Sequence, residues 1–486
     1  MKIKKYIIFF LITLFALVVT KANNVSIGNV NIIPATGIDT AKLSFEVSWE
    51  QSWKTNNSPN NHDAIWVFVK RRLGCSSGSW THVRLSHLAT RHEVGAPLEV
   101  FIDGKDPSYT TAGVTGVFLR RISAGTGNII NVPIVLEMRN IPLGEFDYKI
   151  FAIEMVYIPT SRFYIGDGSP QCGGAPCTYY KFTSGNTENP LLITSDGALT
   201  AGTALGQIYS SSTNRPVNIP VAFPLGYDSI YCMKYEISQN QYVNFLNLLD
   251  DNGAATTRAY IGLANRNNIN GVWPSYSSST PDRANNWMNW YDLLAYLDWA
   301  ALRPMTETEY EKICRGPAIP IINEFAWGNS LIVEAKTLVA GTDGQPNESV
   351  QEIAQVGQGI ANYNNNSIIG PLRCGFAAQI STNRLQAGAT YYGVLEMSGN
   401  LREGTVSTVN GTAFTGVVGD GIITSAGFAN QANWPSTNTT ETGVCLRGGG
   451  TDNTAEHLRI SSRYYCTPTW TNASTRDLAR GGRGVR

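Results

Sequence analysis

At Glu154 the sequence changes texture, and that break restricts the folds open to it. Before it, short runs alternate apolar and polar residues, with turn-forming stretches between them. Leu43-Ser-Phe-Glu-Val-Ser-Trp49 is the cleanest, as expected of a strand with one face buried. Ala64-Ile-Trp-Val-Phe-Val69, Gly116-Val-Phe-Leu119, Pro133-Ile-Val-Leu136 and Tyr148-Lys-Ile-Phe-Ala-Ile153 read as further strands. Several short strands at this spacing predict an all-β sandwich over residues 23–150. After Glu154 the sequence is irregular, rich in Gly, Asn and Ser and studded with Trp and Tyr. That part, 151–486, is expected to be a second domain with little regular structure.

The remaining composition narrows the function classes. Hydrophobic residues make up 43% of the 486 and charged residues only 15%, so the chain is globular. Lys and Arg together number 37 and Asp and Glu 37. That balance supplies no long-range pull on nucleic acid or an acidic membrane. At the start, Lys2, Lys4 and Lys5 precede an apolar stretch from Tyr6 to Val19, and Ala22 offers a small residue for cleavage. Residues 1–22 therefore read as a secretory signal peptide, too short for a membrane span, which needs roughly twenty apolar residues. The mature protein is expected to be secreted or periplasmic, with no membrane span.

Eight cysteines in that compartment favour disulfides. Cys172 and Cys177 flank a Gly/Pro turn and are expected to close a small loop. Pairings among Cys232, Cys314, Cys374, Cys445 and Cys466 stay open, and Cys75 is the candidate to stay unpaired. His82, His87 and His92, spaced by five, fall on alternate faces of a strand and are not expected to converge on a metal.

The second part carries a series of motifs in order. Met155-Val-Tyr-Ile-Pro159 and Phe163-Tyr-Ile-Gly166 come first, then Tyr231-Cys-Met-Lys-Tyr-Glu-Ile-Ser-Gln-Asn-Gln-Tyr242, in which Ser238 suits a helix N-cap. Trp287-Met-Asn-Trp290 precedes a helix whose apolar residues have core spacing. In Arg303-Pro-Met-Thr-Glu-Thr-Glu-Tyr-Glu311, Thr306 and Glu309 have capping-box spacing and the acidic first turn suits the helix dipole. Phe325-Ala-Trp-Gly-Asn329, Tyr392-Gly-Val-Leu-Glu-Met-Ser-Gly-Asn-Leu-Arg-Glu403, Leu446-Arg-Gly-Gly-Gly450 and Gly481-Gly-Arg-Gly-Val-Arg486 follow. In this order the set resembles the sulfatase-modifying factor, or formylglycine-generating enzyme, family. The resemblance implies a mixed α/β, C-type-lectin-like domain.

What the resemblance implies for chemistry divides in two. The family's oxidase activity rests on two cysteines just beyond the Arg-Gly-Gly motif, which hold copper(I) as thiolates. Here that stretch is Thr451-Asp-Asn-Thr-Ala-Glu-His-Leu458, without a cysteine. Cys445 and Cys466 stand on either side, open to a disulfide or a metal site, and copper is not expected. Asp452 and His457 fall short of an iron ligand set. Calcium, in a structural role, is expected. By position, one family calcium site maps to Glu396, the carbonyls of Gly399 and Leu401, and Glu403. A second maps to Asn362, Tyr363 and Phe376, with Cys374 where a carboxylate would sit. The region lining the family's substrate groove maps to Asn453, His457, Arg459 and Tyr464.

The expected function is therefore an exported binding or structural protein on a sulfatase-modifying-factor domain without its catalytic cysteine pair. Its partner would be a protein, peptide or glycan held on the second domain. The alternatives are a formylglycine-generating-type oxidoreductase with an atypical metal site, and a diversified ligand-binding receptor.

Overall fold

The computed structural model describes residues 24–33, 40–74, 78–106, 112–142, 144–170, 177–212, 215–365, 367–379, 381–435, 443–466 and 474–486. The expected signal peptide, Cys75 and Cys172 lie outside these residues.

The first part is strand-rich. Its principal strands are β1 (Ser26–Ile33), β2 (Thr40–Lys54), β3 (Asp63–Leu73), β4 (Leu98–Phe101), β5 (Val117–Arg121), β6 (Gly125–Arg139) and β7 (Phe146–Ile158). β1, β2 and β6 run in one sheet, and β7, β3, β5 and β4 in another. The alternation in β2 places Leu43, Phe45, Val47 and Trp49 in a core with Ile134, Leu136 and Met138 of β6. Ile65, Val67 and Val69 of β3 and Leu119 of β5 complete that core from the second sheet.

β3 shows why its sequence is continuously apolar. Ala64, Trp66 and Phe68, on its other face, belong to a different core shared with Phe245, Tyr296 and Trp299 of the second part. A strand covered on both faces has no reason to alternate. The sheet itself also continues into the second part. β7 pairs with β3 from Phe146 to Val156, and its far end, Met155–Ile158, pairs with β8 (Ile230–Met233). The sequence-based boundary between 150 and 151 falls inside β7.

Buried polar contacts fasten the same junction. Trp66 Nε1 donates to Ala300 O at 2.9 Å, and Lys70 Nζ to Trp299 O at 2.8 Å and Gly421 O at 2.6 Å. Arg486 places its guanidinium 4.0 Å from the centre of the Trp66 ring and donates to Asp103 at 2.8 Å.

The second part holds short helices α1 (Gln239–Leu246), α2 (Trp290–Trp299) and α3 (Glu307–Arg315), and a small sheet of β9 (Arg402–Val406), β10 (Val444–Arg447) and β11 (Arg480–Gly481). Each of these three starts at a capping box: Ser238 with Gln241, Asn289 with Asp292, and Thr306 with Glu309. The side chains at these starts satisfy amide groups that the first turn leaves open. No helix among the described residues is long and apolar enough to cross a membrane.

The three histidines do not converge. His82 bonds to Thr115 O, and His92 is fixed between Ser86 O and Glu137 N.

Candidate functional site

The start of α3 and the end of β10 meet in a fully buried charge cluster. Glu307, the first residue of α3, accepts from Arg463 Nε at 2.8 Å, from Arg447 Nη1 at 3.2 Å and from the Thr408 amide at 2.8 Å. Burial alone would raise its carboxyl. The guanidiniums of Arg463 and Arg447 more than reverse that and hold it at about 2. Arg447 also donates to Glu311 at 2.7 Å, one turn along the helix. After Arg447 the chain turns sharply through Gly448 and Gly449, with φ of 84° and 62°. A Cβ on Gly448 would stand 2.9 Å from Met397 O, so this turn requires glycine.

Cys445 and Cys466 lie over this cluster and are joined as a disulfide. Each sulfur is 3.6 Å from Glu307 Oε2. Disulfide sulfurs carry no proton, so these are van der Waals contacts and not hydrogen bonds. Among the described residues, Glu307, Cys445 and Cys466 are the one trio of Cys, His, Asp or Glu side chains with ligand atoms gathered within 4.8 Å. The donor set suits a soft cation poorly as it stands. The sulfurs are bonded to each other, and the carboxylate is held by two cations. Cys177 is also disulfide-bonded, while Cys232, Cys314 and Cys374 are buried free thiols.

Beyond the Arg-Gly-Gly turn lies an aromatic face. The His457 ring stacks on Tyr179 at 4.9 Å and meets Tyr464 edge-on at 4.7 Å. Tyr179 and Tyr464 are themselves 4.9 Å apart, and Tyr465 packs beside them. His457, Arg459 and Tyr464 are half-buried, so part of each reaches the surface. Asn453 sits beneath them, 6% exposed, donating to Tyr465 Oη at 2.6 Å and accepting from the Gly450 amide at 2.9 Å. It shapes the turn from below. Tyr179 was not legible as part of this face, because it arrives from a segment far away in sequence.

The residues expected to hold calcium form a second buried cluster. Glu396, in left-handed backbone at φ 56°, accepts from the Gly375 amide through Oε1 at 2.9 Å. Glu403 accepts from Arg483 Nε at 2.7 Å through its Oε1. The Oε2 atoms of both, and Asn362 Oδ1, are buried without a hydrogen-bond partner. Glu236, which the sequence did not single out, adds a third carboxylate, accepting from the Leu401 amide at 2.9 Å and from Asn400. Burial pushes all three carboxyls up, Glu396 to about 7, and Arg483 only partly offsets it. Three buried carboxylates around the Arg483 guanidinium, with Arg373 near Glu396, are an arrangement a hard divalent cation would stabilise. The three carboxylates are not gathered within 4.8 Å of one another, so side chains alone do not close the site. The carbonyls of Gly399 and Leu401 would have to supply the remainder. At the other expected position, Cys374 is a neutral thiol whose Sγ lies 3.4 Å from Glu236 O, and it brings no anionic oxygen.

The chain was compared with known protein families and with curated proteins. The sulfatase-modifying factor enzyme 1-like domain matches residues 191–475. The comparison with curated proteins gave no match.

Proposed function

Because the chain belongs to the sulfatase-modifying factor enzyme family, we propose that it is an exported binding or structural protein that keeps the family's scaffold without its oxidase chemistry. The observation that carries this reading is at the Arg-Gly-Gly turn. Residues 451–458 contain no cysteine, and the flanking Cys445 and Cys466 are bonded to each other above a carboxylate already held by two guanidiniums. On this reading the half-buried face of His457, Arg459, Tyr464 and Tyr179 is the binding surface for a protein, peptide or glycan. The strand-rich first part is a β-sandwich, and the second part is a C-type-lectin-like domain.

Calcium in a structural role belongs to the same proposal. Glu396 and Glu403, with the carbonyls of Gly399 and Leu401, would hold it, and the orphaned Oε2 atoms support that assignment. Asn362, with the carbonyls of Tyr363 and Phe376, is the weaker set, because Cys374 replaces an anionic ligand.

The test is copper titration with oxygen uptake measured on a cysteine-containing peptide. No turnover is expected. Turnover that disappears in Cys445→Ser would sink the proposal and make the bonded pair a redox centre. Calcium is tested separately: millimolar calcium is expected to raise the melting temperature of the native chain, and Glu396→Gln to abolish the increase.

A further inference from the structure

A cleft of about 640 Å³ opens between the end of β2 and residues 378–379 and 382–395. It is separate from the His457 face, and its volume is in the range of small-ligand sites. Trp53 stands in one wall by a particular route. The pairing of β2 with β6 shifts register twice, between Val47 and Trp49 and again between Trp49 and Ser52. Simple alternation would return Trp53 to the core that holds Trp49. The second shift, which adds a residue on the β2 side, re-aims it, and Trp53 packs instead against the core of the second part. Buried Asp63 fixes the new course, accepting from the Trp53 amide, from Ser52 Oγ and from Trp49 Nε1, each at 2.9 Å.

The opposite wall is also preformed. Tyr391 is held by Ser58 Oγ at 3.0 Å and Tyr392 through its carbonyl by Asn61 at 2.7 Å. Arg384 caps the carbonyls of Ala389 and Thr390, each at 3.0 Å. Lys234 lies behind Trp53, 5.3 Å from the ring centre, and is neutralised by Glu154 at 3.0 Å. Arg384 is the cation of this lining without a carboxylate partner among the described residues, and its Nη1 is taken up by backbone carbonyls. The Trp53 indole N–H and the side-chain amides of Gln51 and Gln379 make no hydrogen bond among the described residues. Aromatic side chains beside open amides complement a ring that carries hydroxyl groups at its edge and C–H groups on its face.

We propose that this cleft binds a short neutral saccharide, with Trp53 as the stacking platform and Gln51 and Gln379 bonding its hydroxyls. The proposal does not rest on the redox reading or on the His457 face, and its failure would leave both standing. The test is saturation-transfer NMR and calorimetry of the native chain with cellobiose, laminaribiose, maltotriose, chitobiose and mannotriose. At least one is expected to bind, with affinity falling at least tenfold in Trp53→Ala, less in Gln379→Ala, and unchanged in Val356→Ala, an exposed position away from both faces. Gln379 is exposed, so its variant reads the cleft even if Trp53→Ala unfolds. The proposal is overturned if none of the five binds, or if binding survives Trp53→Ala in a folded protein. It is equally overturned if binding is lost in Val356→Ala, or if the cleft takes a random-sequence peptide pool and no sugar.

Discussion

Glu307 concentrates the consequences of burying charge. Its carboxyl is fully buried, and its folded state holds it at about 2, below the ordinary 4.5. A depressed carboxyl contributes stability above its unfolded value, and the contribution disappears as pH falls through the folded value. Between pH 4.5 and 2 the wild type is therefore expected to lose about 3 kcal/mol through this group. Urea unfolding across that range should show the loss in wild type and a flatter profile in Glu307→Gln. At neutral pH the same variant leaves Arg447 and Arg463 facing a neutral amide, and a loss of about 3 kcal/mol is expected. A variant as stable as wild type at pH 7 would mean that the two arginines are satisfied elsewhere.

At the scale of elements, Arg447 ties β10 to Glu307 and Glu311 of α3, the disulfide ties β10 to the segment ending at Cys466, and the glycine turn follows β10. Cys445 and Cys466 are 21 residues apart, and closing a loop of that size stabilises the fold by about 3 kcal/mol. Cys445→Ser with Cys466→Ser should lower the urea midpoint accordingly, and reductant should then have a smaller further effect than in wild type. Gly448→Ala tests the turn. Its positive φ and the close Met397 carbonyl predict a loss of at least ~1 kcal/mol. Tolerance of alanine there would show that the turn can relax.

For the whole molecule, the shared sheet predicts one cooperative unit. Trp66 and Phe68 are fully buried against the second part, and exposing such side chains costs roughly 1.5–3 kcal/mol each. Residues 24–150 expressed alone are therefore expected to show no cooperative urea transition, while the native chain unfolds in one step. Arg486→Ala reports on the same junction. It leaves Asp103 and Asp106 without that guanidinium, and should shift the single transition by about 3 kcal/mol without splitting it. Two separated transitions by calorimetry would refute the shared-core picture.

The sequence by itself determined the features whose partners are close along the chain. The N-cap at Ser238 and the capping box at Thr306 involve residues three apart, so local sequence sufficed to read them. The buried face of β2 followed from its alternation as far as Trp49. The order of motifs from Met155 to Arg486 identified the family. The candidate site was legible in its residue names but not in its arrangement. Thr306 and Glu309 read correctly as a cap, yet Glu307 beside them looked like a helix-dipole residue. Its partners Arg447 and Arg463 are 140 and 156 residues away. Glu236 and Tyr179 went unnoticed for the same reason, and the second burial of β3 was hidden in a run that looked like an ordinary strand. Only the tertiary structure decided which distant groups meet, because burial in a common core sets those pairings and no local period records it. The bulge that turns Trp53 from one core to the other is the sharpest case: alternation predicts one face, and an extra residue in β2 against its partner strand selects the opposite.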